Sequence, residues 1–438
     1  MEPVRIGIIG LGTVGAGTVS VLSRNAEEIA RRAGRAIDVV HAAARDLSKS
    51  RDCSLEGIVV TDQPREVIDD PNTDIIVELM GGTELALELT MRAIERGKHV
   101  VTANKALIAL HGNEIFAAAQ KAGVTVAFEA AVAGGIPIIK AIREGLAGNR
   151  IQWLAGIING TSNFILTDMR DAGRDFADVL AEAQELGYAE ADPTFDVEGI
   201  DAAHKLSILA SIAFGHPLQF EAAYTEGISQ ITAQDINYAN DLGYSIKHLG
   251  IARRVDAGIE MRVHPTLVPK RHVLASVDGV MNAVFAQADA VGPTLYYGPG
   301  AGAEPTASAV VADLVDVVRM LTTDPEHRVP HLAFRPDAIQ DVPVLPASAI
   351  TTAYYLRLLV DDRPGVLADI ARILGDHGIS IEAVVQRELG PDVARVPLVL
   401  LTHRVVESHM NDALRDIEAL DSVEGSVMRI RVEQLDGA

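Results

Sequence analysis

The apolar residues of the first 140 positions follow two alternating patterns. Runs such as VRIGIIG and DIIVELM are short and continuously apolar, as expected of strands that are buried on both faces. Stretches such as ELALELTMRAIERG repeat their apolar residues every three to four positions, as an amphipathic helix does. Because these patterns take turns along the chain, residues 1–140 are predicted to form βαβ units and a parallel, doubly wound α/β sheet. Its first helix is expected from about Val14 to Ala33 and its last strand over VTVAFEAAV.

The pattern changes after residue 140. Longer strand-like stretches such as MNAVFAQAD are mixed with helical ones at about 161–186, 201–214 and 232–251, so we predict an α+β domain over residues 141–303. We expect this domain to bind substrate and to dimerise. The amphipathic stretch EPTASAVVADLVDVVRML then predicts a helix at about 304–322, with Pro305 suited to its first turn, that completes the first domain.

The last part of the chain forms a separate pattern. Residues 323–350 are rich in proline and have no sustained periodicity, which predicts a linker. From 351 to 438 the predicted elements follow the order βαββαβ, which is that of a ferredoxin-like domain.

One apolar helix carries charges in an unexpected place. Wound as an α-helix, DVEGIDAAHKLSILASIAFG puts His204 on a polar edge with two serines. Lys205 falls on the opposite, apolar face, and Asp201 lies one turn before it. Exposed pairs at this spacing are common, but an unpaired buried charge is costly, so Lys205 and Asp201 need either a partner or a cleft.

A glycine-rich turn follows the first predicted strand. Gly10, Gly12 and Gly15 form a GxGxxG motif, with Thr13 and Val14 between the last two glycines. Between a buried strand and a helix, such glycines allow a tight turn, close approach to a pyrophosphate and close helix packing, and the helix N-terminus attracts phosphate. A plain glycine turn is the simpler reading, but the βα repeats downstream favour dinucleotide binding.

The tip of the second strand bears on the choice of cofactor. An NAD site usually places an acidic residue there for the ribose hydroxyls. This chain has Arg45 at the tip and Asp46 one residue later. Because a guanidinium suits a 2′-phosphate, we expect NADP(H) to be preferred, while Asp46 leaves NAD(H) open.

Two further features are candidates for chemistry. Lys105 follows the strand HVVTAN, at the edge where open α/β sheets bind ligands, although taken alone it could equally be a surface lysine at a helix start. The stretch GYAEADPTFDVEGID concentrates five carboxylates, among them Glu190 and Asp196. Such a cluster is usually a solvated acidic loop, yet it is also what a substrate ammonium group would need.

Composition narrows the class of protein. The formal net charge of −22 argues against nucleic acid or an anionic membrane as the main partner. The single cysteine excludes an intramolecular disulfide framework and fits a reducing compartment. No stretch resembles a membrane span or a signal peptide, so we expect a soluble cytoplasmic protein.

The ordered set of motifs resembles homoserine dehydrogenase of the bacterial, threonine-regulated type. The motifs run through the whole chain: GLGTVG, TANKALIA, FEAAVAGGIPII, GIINGTSNFIL, GYAEADPTFDVEGIDAAHKL and GPGAGAEPTASAVVADL. The resemblance implies reversible hydride transfer between L-aspartate 4-semialdehyde and L-homoserine with NAD(P)H, a step toward threonine, methionine and isoleucine.

The resemblance also implies roles for individual residues. It assigns the reacting carbonyl to Lys205 and Lys105, with Asp201 beside them. It assigns substrate contacts to Glu190, Asp196, Gly160 and Thr161. It assigns cofactor contacts to Asn159, Gly302 and Glu304, in addition to the glycine turn and Arg45. It assigns a monovalent cation, Na⁺ or K⁺, to Glu129 and Val132.

The C-terminal stretch VDDRPGVLADIARILGDHGISI resembles the opening of an ACT domain, an amino-acid-sensing module. A free helix N-terminus near Asp362, with Gly365, Val366 and Leu367, would admit a ligand carboxylate. The resemblance implies L-threonine as a feedback inhibitor and a homodimer or homotetramer. A dimerisation module that has lost its ligand is the simpler alternative.

Other functions remain to be weighed against this one. Aspartate-semialdehyde dehydrogenase needs a thiolate nucleophile in its catalytic domain, and the sole cysteine, Cys53, follows the second strand instead. A non-catalytic amino-acid or nucleotide sensor would not need Lys105, Glu190, Asp201 and Lys205 together. Because GLGTVG stands at the start of the sequence, we expect no fused aspartate kinase.

Overall fold

The computed structural model describes residues 2–387 and 394–435. They divide into two compact units, each made of discontinuous segments. The first unit comprises residues 1–160, 201–221 and 280–342, and the second comprises 161–200, 222–279 and 343–438. Residues 388–393 and 436–438 of the predicted C-terminal domain lie outside the described residues, and the predicted domain boundaries stay predictions.

The described residues form strands and helices that are numbered in chain order. The strands are β1 (Val4–Ile9), β2 (Ile37–Ala43), β3 (Val59–Thr61), β4 (Ile75–Glu78), β5 (His99–Thr102), β6 (Val126–Ala127), β7 (Ile151–Ile157), β8 (Tyr224–Thr225), β9 (Tyr244–Val255), β10 (Gly258–Pro269), β11 (Met281–Ala288), β12 (Gly292–Pro299), β13 (Thr351–Asp361), β14 (Ile381–Gln386), β15 (Arg395–Thr402), β16 (Val405–Val406) and β17 (Val423–Val432). The helices are α1 (Thr13–Arg24), α2 (Ala26–Ala33), α3 (Pro64–Asp69), α4 (Glu84–Glu95), α5 (Lys105–Ala122), α6 (Ile138–Lys140), α7 (Gly160–Ala172), α8 (Phe176–Glu185), α9 (Thr194–Val197), α10 (Ile200–Phe214), α11 (Ala233–Asp241), α12 (Ala303–Met320), α13 (Val366–Asp376) and α14 (Glu407–Glu418).

The first unit is built on a parallel sheet with strand order β3-β2-β1-β4-β5-β6. The predicted doubly wound fold is therefore confirmed. The order reverses between β1 and β4, and ligands of such sheets bind beyond the carboxyl ends of the strands at this point. Strands β12, β11 and β7 of the same unit form an antiparallel set.

Helix α12 packs against α1, and both contribute to the core cluster that covers the sheet. A Cβ on Gly17 of α1 would lie 2.7 Å from the carbonyl oxygen of Ala303, so this close approach requires glycine. The late helix thus completes the core of the parallel sheet, which is what its apolar face predicted.

The second unit contains the C-terminal βαββαβ arrangement. Strand β13 pairs antiparallel with β15 and β17, and β14 pairs with β15, while α13 and α14 complete a separate core cluster. The long β9–β10 hairpin lies in the same unit, and β10 pairs with β17. The predicted ferredoxin-like order is confirmed.

Some element predictions were wrong. The helix expected over 232–251 ends at Asp241, because Gly243 adopts a φ of +85° and the chain from Tyr244 pairs with β10 over twelve residues. Strand pairing here overrides local helical preference. The helix expected over 161–186 is two helices separated at Gly173, whose φ is +65°. The strand expected over VTVAFEAAV is reduced to β6 and a helical turn.

The helix expected from Val14 to Ala33 is also interrupted, at Asn25, which ends α1 and precedes α2. Among the described residues, no helix combines the length and the apolar character needed to cross a membrane.

Candidate active site

Lys105 is held at the carboxyl end of β5 by the start of helix α5. Asn104 is the N-cap of this helix, and its side-chain oxygen accepts a hydrogen bond from the Leu107 N–H at 3.0 Å. Lys105 is the first helical residue, and its side chain is 35% exposed. The cap therefore fixes where this lysine leaves the backbone.

Asp201 is buried between two lysines. One carboxylate oxygen lies 2.9 Å from Nζ of Lys105, and the other lies 2.6 Å from Nζ of Lys205. Asn159 donates a hydrogen bond from Nδ2 to Oδ2 of Asp201 at 2.8 Å, and Lys205 also donates to the carbonyl oxygen of Ile158 at 2.8 Å. One buried carboxylate thus holds both ammonium groups at the edge of the first unit's sheet.

The electrostatics of this cluster follow from burial and charge. Burial alone would raise the pKa of Asp201, but the positive charges of Lys205 and Lys105 hold that pKa well below its usual range. Asp201 is therefore ionised at neutral pH, and with both lysines protonated the cluster carries one net positive charge. That charge can stabilise negative charge that develops on a bound oxygen.

The polar edge predicted for helix α10 is buried as well. His204 is 4% exposed, and its ring centroid lies 4.1 Å from that of Phe220. Burial lowers the pKa of His204 to about 4, so this histidine is neutral. The hydroxyls of Ser207 and Ser211 donate to carbonyl oxygens. Since both faces of α10 are buried, the helix has no solvated side on which its charges could lie.

The GxGxxG turn has the close packing that its glycines predict. Gly10 has a φ of +104°, and a Cβ there would lie 2.6 Å from the carbonyl oxygen of Leu79. A Cβ on Gly15 would lie 2.0 Å from the carbonyl oxygen of Gly10. Gly12 and Thr13, at the N-terminus of α1, are exposed, and Val14 is half-buried. The turn thus leaves the helix N-terminus open for a phosphate group.

The tip of β2 presents its arginine and engages its carboxylate. Arg45 is exposed. Asp46 accepts hydrogen bonds from the N–H and hydroxyl of Ser48, and these bonds lower the pKa of Asp46. Arg51 donates to the carbonyl oxygen of Leu11 in the glycine turn. The carboxylate that could serve an NAD ribose is therefore bound within its own turn.

Three predicted cofactor contacts occupy different places in the first unit. Asn159 contacts Asp201. A Cβ on the next residue, Gly160, would lie 2.8 Å from the carbonyl oxygen of Val280. Gly302, with a φ of +125°, precedes α12.

Glu304 forms a two-point ion pair with Arg24 at 2.7 and 3.0 Å. Arg24 is the last residue of α1. Glu304 therefore contacts the opposite end of this helix from the glycine turn.

The remaining predicted substrate residues lie in the second unit. Glu190 is exposed and Asp196 is half-buried. The Thr161 hydroxyl donates to the carbonyl oxygen of Tyr188 at 2.7 Å, and the Ser162 hydroxyl donates to that of Asp196 at 3.0 Å. The start of α7 thus tethers both ends of the segment that carries Glu190.

Glu129, the predicted cation ligand, lies in a buried helical turn that ends beside Val132. Its carboxylate accepts hydrogen bonds from the N–H groups of Ile139 and Lys140 at 2.8 and 2.9 Å, and burial raises its pKa. Asp313 accepts from the Glu129 N–H, and burial with the Glu129 charge raises the Asp313 pKa to about 7. Within the described ranges, no cluster of three or more His, Cys, Asp or Glu side chains could hold a metal ion.

The predicted regulatory residues line a cavity of about 380 Å³ in the second unit. Gly365 precedes α13 with a φ of +98°, which favours glycine. Asp362 is exposed, Val366 is buried and Leu367 is 41% exposed. The N-terminus of α13 therefore opens onto this cavity.

Sequence reasoning missed two partners of the lysines. The Ile158 carbonyl that binds Lys205 has no side-chain signal at all. Glu78, at the end of β4, is 1% exposed and hydrogen-bonded to Thr102. Its signal was available, because a carboxylate in the run DIIVELM breaks the apolar pattern in the same way as Lys205 breaks that of its helix.

Comparison with known proteins gives consistent matches along the chain. The model of the homoserine dehydrogenase family matches residues 137–315, the model of the homoserine dehydrogenase NAD-binding domain matches 10–129, and the ACT domain model matches 354–421. Homoserine dehydrogenase of Pseudomonas aeruginosa is 65% identical over 436 residues, with 100% of each chain covered.

Solved structures give the same picture. A homoserine dehydrogenase from Thiobacillus denitrificans has a TM-score of 0.94 and 66% identity, over 100% of this chain and 99% of its own. A hyperthermophilic archaeal homoserine dehydrogenase mutant in complex with NADPH has a TM-score of 0.62 and 27% identity, over 72% of this chain and 98% of its own.

Proposed function

The chain belongs to the homoserine dehydrogenase family, and from that premise we propose that it transfers hydride between L-homoserine and L-aspartate 4-semialdehyde with NADP(H) as the preferred cofactor and L-threonine as feedback inhibitor. Homoserine dehydrogenase activity, an oxidoreductase reaction, and an NAD(P)-binding domain follow from the family itself. The cofactor preference, the effector and the residue roles are the proposals.

The observation that carries the proposal is the Asp201 carboxylate held between two lysine ammonium groups. Reduction of an aldehyde places negative charge on its oxygen, and a fixed cation in a water-poor site stabilises that charge. Lys205, which is 9% exposed, is held by Asp201 and the Ile158 carbonyl, so its orientation is set before substrate binds. Lys105, which is more exposed, is the second cation at the oxygen, and either lysine can deliver the proton.

The cofactor is held by the glycine turn and Arg45. Gly10, Gly12 and Gly15, with Thr13 and Val14, give the pyrophosphate access to the N-terminus of α1. When bound, the nicotinamide supplies or accepts the hydride at its C4 carbon. Arg45 binds the 2′-phosphate of NADP(H), and the local bonds of Asp46 support this preference. NAD(H) remains an alternative acceptor. Asn159, Gly302 and Glu304 complete the proposed cofactor contacts.

The substrate is held through its amino-acid end. Glu190 is exposed and binds the ammonium group, with Asp196, Gly160 and Thr161 as the other proposed contacts. Anchoring this end limits the freedom of the aldehyde, which lowers the entropic part of the barrier.

A monovalent cation fits the residues at Glu129 and Val132. The donor set is a buried carboxylate with backbone carbonyl oxygens, which suits a hard cation such as Na⁺ or K⁺. Two buried carboxyls with raised pKa values, Glu129 and Asp313, would gain from a nearby positive charge. The ion would have a structural role, holding the turn before α6.

The C-terminal domain supplies regulation. L-threonine binds at the N-terminus of α13, beside Asp362, Gly365, Val366 and Leu367, where helix N–H groups attract its carboxylate. ACT domains commonly pair, and we propose a cytoplasmic homodimer or homotetramer.

Homoserine-dependent reduction of NADP⁺ and NAD⁺, each with and without threonine, tests these proposals. We expect a higher kcat/KM with NADP⁺, and Arg45→Ala should lower it about tenfold for NADP⁺ alone, as expected for loss of one charged phosphate contact. Arg31→Ala, a second exposed arginine of the same unit, is the control. Equal efficiency with both cofactors would contradict the NADP(H) preference.

Inhibition is tested in the same assay. Millimolar threonine should slow the reaction and raise Tm, and Asp362→Ala should weaken both effects, unlike Asp376→Ala at an exposed position of the same domain. Unchanged activity and Tm with threonine would remove threonine as the effector.

A further inference from the structure

Glu78 lies where the two active-site segments of the first unit leave the sheet. It is the last residue of β4, and it is paired in register with Ile9 of β1 and Thr102 of β5. The glycine turn follows β1, and Lys105 follows β5 three residues after Thr102. Although it is 1% exposed, Glu78 therefore sits beneath both the proposed cofactor turn and the proposed catalytic lysine.

A chain of hydrogen bonds runs from this carboxylate to the start of helix α5. The Thr102 hydroxyl donates to Oε2 of Glu78 at 2.6 Å, and the Asn104 N–H donates to the hydroxyl oxygen of Thr102 at 2.9 Å. The Met80 N–H donates to Oε1 of Glu78 at 2.8 Å. Both carboxylate oxygens are therefore occupied by donors, and one of them leads directly to the residue before Lys105.

Asn104 passes this order on to the helix. Its side-chain oxygen caps α5 through the Leu107 N–H, and its Nδ2 donates to the carbonyl oxygen of Gly82 at 2.7 Å. Three of its groups are thus fixed at once: the backbone N–H and both side-chain polar atoms. Lys105, the next residue, inherits the position of this N-cap.

The direction of the chain depends on the acid being an acceptor. An ionised carboxylate only accepts hydrogen bonds, so the Thr102 hydroxyl points its hydrogen at Glu78 and leaves its oxygen lone pairs for the Asn104 N–H. A neutral amide or acid at position 78 would bring a donor toward groups that already donate. A charge-assisted bond is also shorter and stronger than a neutral one, in keeping with the 2.6 Å separation.

We propose that Glu78 is a positioning residue of the dehydrogenase reaction, acting through Thr102 and Asn104 to hold the Lys105 amine in place beside Asp201. This inference rests on the proposed role of Lys105 in the reaction. It assigns to Glu78 no contact with substrate or cofactor.

The link through Thr102 can be cut without removing the buried acid. Thr102→Val keeps the size and shape of the side chain but removes the hydroxyl, whereas Thr102→Ser restores it. Thr90→Val makes the same change at another buried threonine of the unit, in α4, whose hydroxyl has no hydrogen-bond partner in the described part of the chain. For all three variants and the wild type we would measure kcat, the KM for homoserine and for NADP⁺, and Tm.

Loss of position at Lys105 should appear in kcat. We expect Thr102→Val to lower kcat roughly 10- to 100-fold with both KM values within about threefold, because small displacements of a reacting group cost rate rather than ground-state binding. Thr102→Ser should recover most of the loss, and Thr90→Val should match the wild type. Equal kcat for Thr102→Val and Thr90→Val, or a loss that follows KM or Tm alone, would overturn the inference. A wild-type enzyme that does not oxidise homoserine would instead overturn the proposed function.

Discussion

Asp201 and Glu78 are two buried carboxylates of the same unit, and their surroundings give them opposite titration behaviour. Both are nearly inaccessible, at 2% and 1% exposure. Two lysines contact Asp201 and hold its pKa well below the usual range, in spite of burial. Burial raises the pKa of Glu78 to about 7, because its hydrogen-bond partners are the neutral Thr102, Met80 and Asn104 groups. Burial alone therefore does not tell whether an acid is charged; its partners do.

The most severe way to break this contrast is to remove a lysine. Lys205→Ala should lower kcat by roughly 10²- to 10⁴-fold, the usual contribution of a positioned proton donor. NADP⁺ affinity should be nearly intact, because the glycine turn and Arg45 are not touched. Steady-state kinetics and a binding titration with NADP⁺ measure the two effects separately.

The control is a lysine with the same burial. Lys98 is also 9% exposed in the first unit, where it donates to the carbonyl oxygen of Asp70 and to Thr73. It precedes β5, at the amino end of the strand that Lys105 follows. Lys98→Ala should cost stability without a selective loss of kcat. Near-wild-type turnover in Lys205→Ala would rule out its role.

Neutralising the shared partner should have the next largest effect. Asp201→Asn leaves two lysines without their counter-charge, and loss of one partner of a buried ion pair usually costs about 3–5 kcal/mol. Urea unfolding measures the change in the free energy of unfolding. Asp62→Asn, at an exposed position of the same unit, should change it by less than about 0.5 kcal/mol. A loss at Asp201 no larger than that at Asp62 would mean that the cluster does not need its negative charge.

The sequence predicted much of this site because its signals were local. Strand, glycine turn and helix start placed Gly10–Gly15 and Lys105, and a charge on an apolar face singled out Lys205 with Asp201. Long-range contacts left no such signal. Nothing in the sequence shows that the Ile158 carbonyl binds Lys205, or that α10 is buried on both faces. The helix predicted over 232–251 failed for the same reason, since the partner strand of β9 decides its conformation.

The smallest predicted effect is a pH dependence of stability due to Glu78. Its pKa rises from 4.5 to about 7 on folding, so the folded chain keeps this proton up to about pH 7. The stability it contributes is therefore fully present below pH 4.5 and is lost as the pH rises to 7, with a slope of at most about 1.4 kcal/mol per pH unit. Asp201, whose pKa is lowered, contributes the opposite sign, but only as the pH falls below 3.8.

Urea unfolding at several pH values between 4.5 and 7 measures this slope. Glu78→Gln cannot titrate, so its free energy of unfolding should fall less steeply with pH than that of the wild type. Asp313, with a pKa raised to about 7, adds a slope of the same sign, so Asp313→Asn should flatten the curve independently. Thr90→Val should keep the wild-type slope. If Glu78→Gln also keeps it, Glu78 is already ionised throughout this range, and its hydrogen bonds outweigh its burial as the lysines do at Asp201.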